Sequence, residues 1–199
     1  MKKFLLLALI GIFFSTASFA QDDQGIQDDL TEYIQLTKDM KFDALMEYIN
    51  PELFEFVPRE LLVQTFEEIF NTPGMDFSFG DFTVEKVHPS ISADGKTYAL
   101  VDYAMDMTMK FTGEAAEEMD DEALDLMESM FAMQFGEDNV ERLDGKAFKI
   151  NTEKTMIATK VPDVDHWYFI EQSGEMQGII DSIVDKEVQE QLLKAKLVQ

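Results

Sequence analysis

Apolar side chains recur at helical spacing in three stretches near the start of the chain. The three stripes are formed by Leu30, Tyr33, Ile34 and Thr37; by Phe42, Leu45, Met46 and Ile49; and by Leu62, Phe66, Ile69 and Phe70. Intervals of three and four residues put such side chains on one face of a helix. Asp29 is expected to cap the first helix, Asn50-Pro51 to end the second and Pro58 to begin the third. The pattern predicts a layer of one-sided helices.

After Gly74 the spacing of apolar residues changes from helical to alternating, as in Phe77, Phe79, Phe82 and Val84. The phase of the alternation shifts at Gly80-Asp81, which predicts a β-bulge. Asp94-Gly95 predicts a tight turn between antiparallel strands. From Thr97 to Phe111 the alternation is long enough for one extended strand, which we expect to be bent. Its apolar face carries Ala99, Val101, Tyr103, Met105, Met107, Met109 and Phe111.

The second half of the chain adds an acidic, Met-rich helix over residues 114–138 and further strands. The strands are predicted at Ala147–Asn151, Thr155–Lys160 and His166–Glu171, with a turn at Asn151–Lys154 between the first two. An amphipathic helix over residues 176–192 ends the chain. We predict an α+β fold with N-terminal helices packed on one face of a curved antiparallel sheet, an acidic helical insertion and a C-terminal helix. Residues 21–199 are expected to form a single domain.

Residues 1–20 have the order of a cleaved export signal. Two lysines precede an apolar run from Phe4 to Phe14, and Ser18-Phe19-Ala20 supplies a small-x-small cleavage pattern. The run is too short to anchor in a bilayer, and the chain turns polar at Gln21. We expect cleavage near Ala20 and a periplasmic or secreted mature protein that has no transmembrane segment.

The composition narrows the function classes. Sixteen Lys and Arg against 40 Asp and Glu give a net charge of −24, which disfavours nucleic acid and anionic lipid as partners. The absence of cysteine excludes disulfides, thiol catalysis and thiolate zinc sites. The acidic stretch around Asp120 lacks the ligand spacing of a calcium-binding loop. We therefore expect no metal site and no cofactor.

Several segments resemble the cone-shaped nuclear transport factor 2-like (cystatin-like) superfamily. They are Met40-Lys41-Phe42-Asp43-Ala44-Leu45, followed by Tyr48-Ile49-Asn50-Pro51, and the Trp-containing strand His166-Trp167-Tyr168-Phe169-Ile170-Glu171. The segments at residues 50–60, 99–103 and 135–140 resemble exported, uncharacterised proteins of Bacteroidetes-type bacteria. The likeness covers most of residues 28–195 and brings no known activity. It implies a cavity between the sheet and the N-terminal helices, in a superfamily that contains both enzymes and binding modules.

The candidate pocket residues are Val101, Tyr103, Met105, Met107 and Trp167. Methionine adapts to irregular gaps, so a Met-lined cavity would suit a flexible apolar ligand. Packing of the Met-rich helix on the long strand explains the same methionines without a ligand. Capture of copper(I) by thioethers is less favoured because no histidine is interleaved with them.

No catalytic residue is predicted. Asp102 and Asp106 share a strand face with Thr108 and Lys110, so we expect that face to be solvated. His88 and His166 stand at strand ends and are expected at the surface.

The sequence predicts an exported, non-enzymatic binding or interaction module. Its partner would be a small apolar molecule or another exported protein. The sequence leaves open whether two copies form a homodimer across the sheet. The alternative is a small isomerase- or hydrolase-like enzyme that uses a single buried acid/base, such as Asp102 with a nearby tyrosine.

Overall fold

A six-stranded antiparallel sheet is the framework of the protein, which a computed structural model describes over residues 23–197. The predicted export signal lies outside the described residues. Within them, the strands are β1 (Met75–Val87), β2 (Ile91–Ala93), β3 (Lys96–Phe111), β4 (Val140–Leu143), β5 (Ala147–Lys160) and β6 (Tyr168–Glu171). The α-helices are α1 (residues 23–38), α2 (Phe42–Leu45), α3 (Arg59–Phe70), α4 (Gly113–Glu118), α5 (Asp121–Phe135), α6 (Gln177–Ile183) and α7 (Lys186–Leu197).

The sheet is curved and does not close, and its order is β1-β3-β5-β4. Strand β2 also pairs with β3, and β6 also pairs with β5. The bulge predicted in β1 is confirmed, because the register with β3 shifts between Phe79 and Phe82. The turn at Asp94-Gly95 is confirmed as well, since both residues have positive φ and join β2 to β3. The fold is α+β, as predicted.

Strand β5 is continuous, so the turn predicted at Asn151–Lys154 is wrong. The strand pairs with β3 from Ala147 to Lys160, and the Thr152 hydroxyl donates a hydrogen bond to the Met105 carbonyl at 3.0 Å. The polar residues at the middle of β5 are tolerated because that part of the sheet is not covered on both sides. The chain turns instead around Gly145, which has a φ of 77°, and the residues before it form β4, which the sequence analysis does not predict.

Several helix boundaries also differ from the predictions. Asp29 lies inside α1 rather than at its start, and its carboxylate accepts a hydrogen bond from the Trp167 backbone N–H at 2.8 Å. The acidic insertion is two helices, because the Asp120 side chain accepts from the Ala123 N–H and so caps a new helix. The C-terminal helix is likewise divided, with a break at Val184.

Helices cover both faces of the sheet, whereas one face was predicted. Alternate residues of β3 point to opposite sides; we call the side of Ala99, Val101 and Tyr103 the odd face and the side of Tyr98, Leu100 and Asp102 the even face. On the odd face, Ile26, Leu30 and Ile34 of α1 pack in one buried cluster with Val101 and Phe169. On the even face, Val188 and Leu192 of α7 pack in a cluster with Tyr98 and Leu100.

The Met-rich insertion packs on the far end of the odd face. Leu124 of α5 is buried with Met109, Phe111 and Phe148. Two of its methionines do not pack against the strand, because Met130 is 54% exposed and Met133 is 89% exposed. The packing of the Met-rich helix on the long strand, considered from the sequence, therefore does not extend to these two side chains. No helix within residues 23–197 is long and apolar enough to cross a membrane.

Candidate functional site

A cavity of about 320 Å³ lies on the odd face of the sheet, under α1, α2 and α3. Sheet and helices enclose it from several sides, because its lining comes from β1, β3, β5 and β6 and from the C-terminal end of α5 as well. Its volume is at the lower end of the range of small-molecule sites, about 300–1,000 Å³. We call this space the apolar cavity.

Aromatic side chains form the helical wall of the apolar cavity. The rings of Phe42 and Phe70 stack with centroids 5.5 Å apart, and Phe66 lies 5.5 Å from Phe42. Phe70 also contacts Phe79 of β1 at 5.4 Å. Each of these rings contacts another at a spacing typical of favourable aromatic pairs, so the rings of the wall support one another.

The sheet wall combines methionines with a small polar group. Met105, Met107 and Met156 line the cavity from β3 and β5. Beside them, Lys154 donates to Glu171 at 2.7 Å, and both side chains are half-buried. This ion pair gives the otherwise apolar lining one polar edge.

Two tyrosines complete the lining near that polar edge. Burial raises the pKa of Tyr103, and the negative charge of Glu171 raises it further. Burial likewise raises the pKa of Tyr33, with a smaller contribution from Glu171. Both phenols therefore stay protonated at neutral pH, and the Tyr103 hydroxyl is hydrogen-bonded to Glu171.

The five pocket candidates from the sequence fall into two groups. Tyr103, Met105 and Met107 line the apolar cavity. Val101 and Trp167 do not; they are buried at 0% and 3% exposure in the core cluster beneath α1. The later part of α1, with Tyr33, Ile34 and Thr37, lines the cavity, which lies farther along β3 than Val101.

Sequence reasoning missed the polar edge of the cavity. Lys154 was assigned to a turn and Glu171 to the end of a strand, so neither was considered for the site. The alternation of Phe148, Ile150, Thr152, Lys154 and Met156 through β5 is the signal that puts Lys154 on the odd face. Tyr33 and Thr37 could also have been recognised as site residues from the sequence, because their hydroxyl groups stand in the otherwise apolar stripe of α1.

A separate polar cluster lies on the even face beneath α7. Asp102 accepts hydrogen bonds from the Lys196 ammonium at 2.7 Å and the Thr155 hydroxyl at 2.6 Å, and its other oxygen lies 2.7 Å from His88 Nε2. Burial acts to raise the pKa of Asp102, but these three hydrogen bonds outweigh it and lower the pKa to about 2. The carboxylate is thus charged and held, not free to act as a base.

His88 is buried at 4% exposure, so its predicted surface position is wrong. Within the described residues, its Nδ1 atom is buried without a hydrogen-bond partner. The neutral tautomer with its hydrogen on Nε2 donates to Asp102 and leaves only a lone pair unpaired. The expectation that the Asp102 face is solvated is also wrong at this end of β3, because α7 covers it. His166 is partly exposed, and its Nε2 lies 3.0 Å from the Glu47 carbonyl.

No group of three or more His, Asp or Glu side chains in residues 23–197 is arranged to hold a metal ion. A depression on the outer side of α5 is lined by Asp125, Glu128, Met133 and Glu137, and Arg142 forms ion pairs with Asp125 and Asp121 beside it. Its acids are solvated, and it lacks the apolar enclosure of the cavity on the odd face.

No known family model matches the chain, and no curated protein has significant sequence similarity to it.

Proposed function

We propose that the protein is a non-enzymatic binding module whose apolar cavity holds a small, largely apolar molecule. The observation that carries the proposal is the lining: a wall of mutually packed phenylalanines faces three methionines across a cavity of about 320 Å³. Aromatic walls fix the shape of such a site, and methionines adapt to the ligand. The Lys154–Glu171 pair and the two tyrosines supply the few polar groups that orient a ligand.

The enzymatic alternative has less support. Asp102 does not line the cavity, and it is neighboured by Tyr103 on the opposite face of the strand. Glu171 is the carboxylate in the lining, and one of its oxygens already accepts a hydrogen bond from the Lys154 ammonium at 2.7 Å. A binding role requires no free acid or base and is therefore preferred.

Export and superfamily membership are part of the same proposal. The order of charge, apolar run and small residues over residues 1–20 supports export. If the protein isolated from its host has the intact mass of residues 21–199, export with cleavage is supported. A mass that includes residues 1–20 would overturn it. The curved sheet with helices over a cavity supports the nuclear transport factor 2-like cone.

The proposal is tested by titration with a neutral fluorescent naphthylamine probe. Met107→Trp adds bulk to the cavity lining and is expected to lower the probe affinity at least about tenfold, because a filled site excludes the ring. Met133→Trp makes the same change at a side chain that is 89% exposed and should leave the affinity unchanged. Urea unfolding of both variants verifies that they fold. Equal binding by all three folded proteins would contradict the proposal.

A further inference from the structure

The apolar cavity adjoins a larger polar depression, and this continuity constrains the ligand. The depression has a volume of about 840 Å³ and shares Phe135, Thr152, Lys154 and Glu171 with the cavity lining. We call it the polar groove. We propose that the ligand is amphipathic: its apolar part occupies the apolar cavity, and a non-anionic head rich in hydroxyl or amide groups lies in the polar groove. This inference rests on the proposed function.

The polar groove crosses a stretch of β5 that is paired along one edge only. Strand β4 pairs with residues 147–150 and β6 pairs with residues 156–159, so residues 151–155 are paired with β3 but with no strand along their other edge. This open edge lies beside the cavity. Alternate residues of the stretch point to the two faces of the sheet, so a ligand that occupies both spaces would pass around the open edge.

Uncharged hydrogen-bonding side chains line the groove on both sides of the gap. They come from the end of α5 and the turn after it, from β5 and from the segment after β6: Gln134, Asn139, Asn151, Gln172 and Ser173. Amide side chains both donate and accept, and hydroxyls do the same. Such a surface matches a head that offers several hydroxyl or amide groups.

The charges of the groove disfavour an anionic head. Glu153, Glu171 and Glu175 line it, and Lys154 is the basic residue in the lining. That lysine is already paired with Glu171 at 2.7 Å. A carboxylate, sulfate or phosphate head would meet uncompensated negative charge, which argues against a free fatty acid or a phospholipid.

The test compares three single-chain probes that share a tail: octyl β-D-glucoside, 1-octanol and octyl sulfate. The glucoside and the sulfate are titrated below their micelle-forming concentrations and octanol below its solubility limit, by calorimetry and by displacement of the naphthylamine probe. We expect the glucoside to bind about tenfold more tightly than octanol, the effect of one or two net hydrogen bonds. We expect octyl sulfate to bind at least about tenfold more weakly than the glucoside, because its charge is repelled.

Variants separate the two parts of the site. The double variant Asn151→Ala and Gln172→Ala is expected to reduce glucoside affinity to that of octanol, while octanol binding is unchanged. Gln191→Ala, at an exposed amide on α7, is the matched control and should change neither.

The outcomes distinguish this inference from the proposed function. If glucoside and octanol bind equally and both are lost in Met107→Trp, the head assignment is overturned and the apolar site stands. If octyl sulfate binds as tightly as the glucoside, the non-anionic head is overturned. If none of the three displaces the naphthylamine probe from a cavity that binds it, the amphipathic ligand is overturned. If the cavity binds neither the probe nor any of these molecules, the proposed function fails as well.

Discussion

At the scale of single residues, Asp102 shows how a sequence position can be misread. It alternates with apolar residues in a way that normally indicates a solvated strand face. Its actual neighbours are His88, Thr155 and Lys196, which lie 14, 53 and 94 residues away along the chain. None of these separations leaves a local signal. The cluster connects α7 to the sheet, so we assign it a structural role.

Asp102→Asn is expected to reduce stability in a pH-dependent way. Because the pKa falls from 3.8 to about 2 on folding, the charged carboxylate stabilises the folded state above about pH 4, and this contribution is lost as the pH falls towards 2. The contribution is about 1–2 kcal/mol at neutral pH after allowance for solvent screening. Urea unfolding of the wild type and the variant from pH 7 to pH 2 measures it.

Asp39→Asn is the matched control for this measurement. Asp39 pairs with Lys41 at the surface, and its carboxylate is exposed, so its loss should change the free energy of unfolding little. A difference between wild type and Asp102→Asn that persists undiminished at pH 2 would show that the charge of Asp102 is not the cause.

At the scale of elements, the junction of β1 with α4 depends on a close contact at Gly74. The Thr112 N–H donates to the Gly74 carbonyl at 2.9 Å. Gly74 has a φ of 80°, and a Cβ there would lie 2.6 Å from the Ala115 Cβ. Both the backbone conformation and the space therefore require glycine at this position.

Gly74→Ala and Gly95→Ala separate conformational strain from steric overlap. Gly95 has a similar φ of 78°, but a Cβ there would meet nothing within 4 Å. Gly95→Ala is expected to lower the free energy of unfolding by roughly 1 kcal/mol through strain alone. Gly74→Ala should lose about 1–3 kcal/mol more because α4 must move. Equal losses in urea unfolding would mean that α4 shifts at no cost.

The accuracy with which the sequence predicts an element also differs from one element to another. Strand β3 was predicted almost to the residue, because its alternation is unbroken and a turn sequence precedes it. Strand β5 was divided in error, since Asn151, Thr152, Glu153 and Lys154 look like a turn when read locally. They stay extended because β3 pairs with them along their whole length. This error removed Lys154 from the candidate site, and Glu171 was not considered because it was placed at the end of a strand, whereas Tyr103, Met105 and Met107 were found.

At the scale of the whole molecule, helices on both faces stabilise the sheet unevenly. The end near Val101 is covered by α1 on one side and α7 on the other, and it contains the largest buried clusters. Towards Met107, the odd face is separated from its covering helices, and this separation is the apolar cavity. The strong negative charge of the chain is carried outside these clusters and keeps other acidic surfaces away. We therefore place the specific function in the cavity and not in the surface charge.

Native mass spectrometry of the protein isolated from its own host would show whether the apolar cavity holds a ligand. We expect an additional mass that is present in the folded protein, is released on denaturation and is absent from Met107→Trp purified in the same way. A folded wild-type protein that carries no additional mass, and binds no probe on titration, would contradict this expectation.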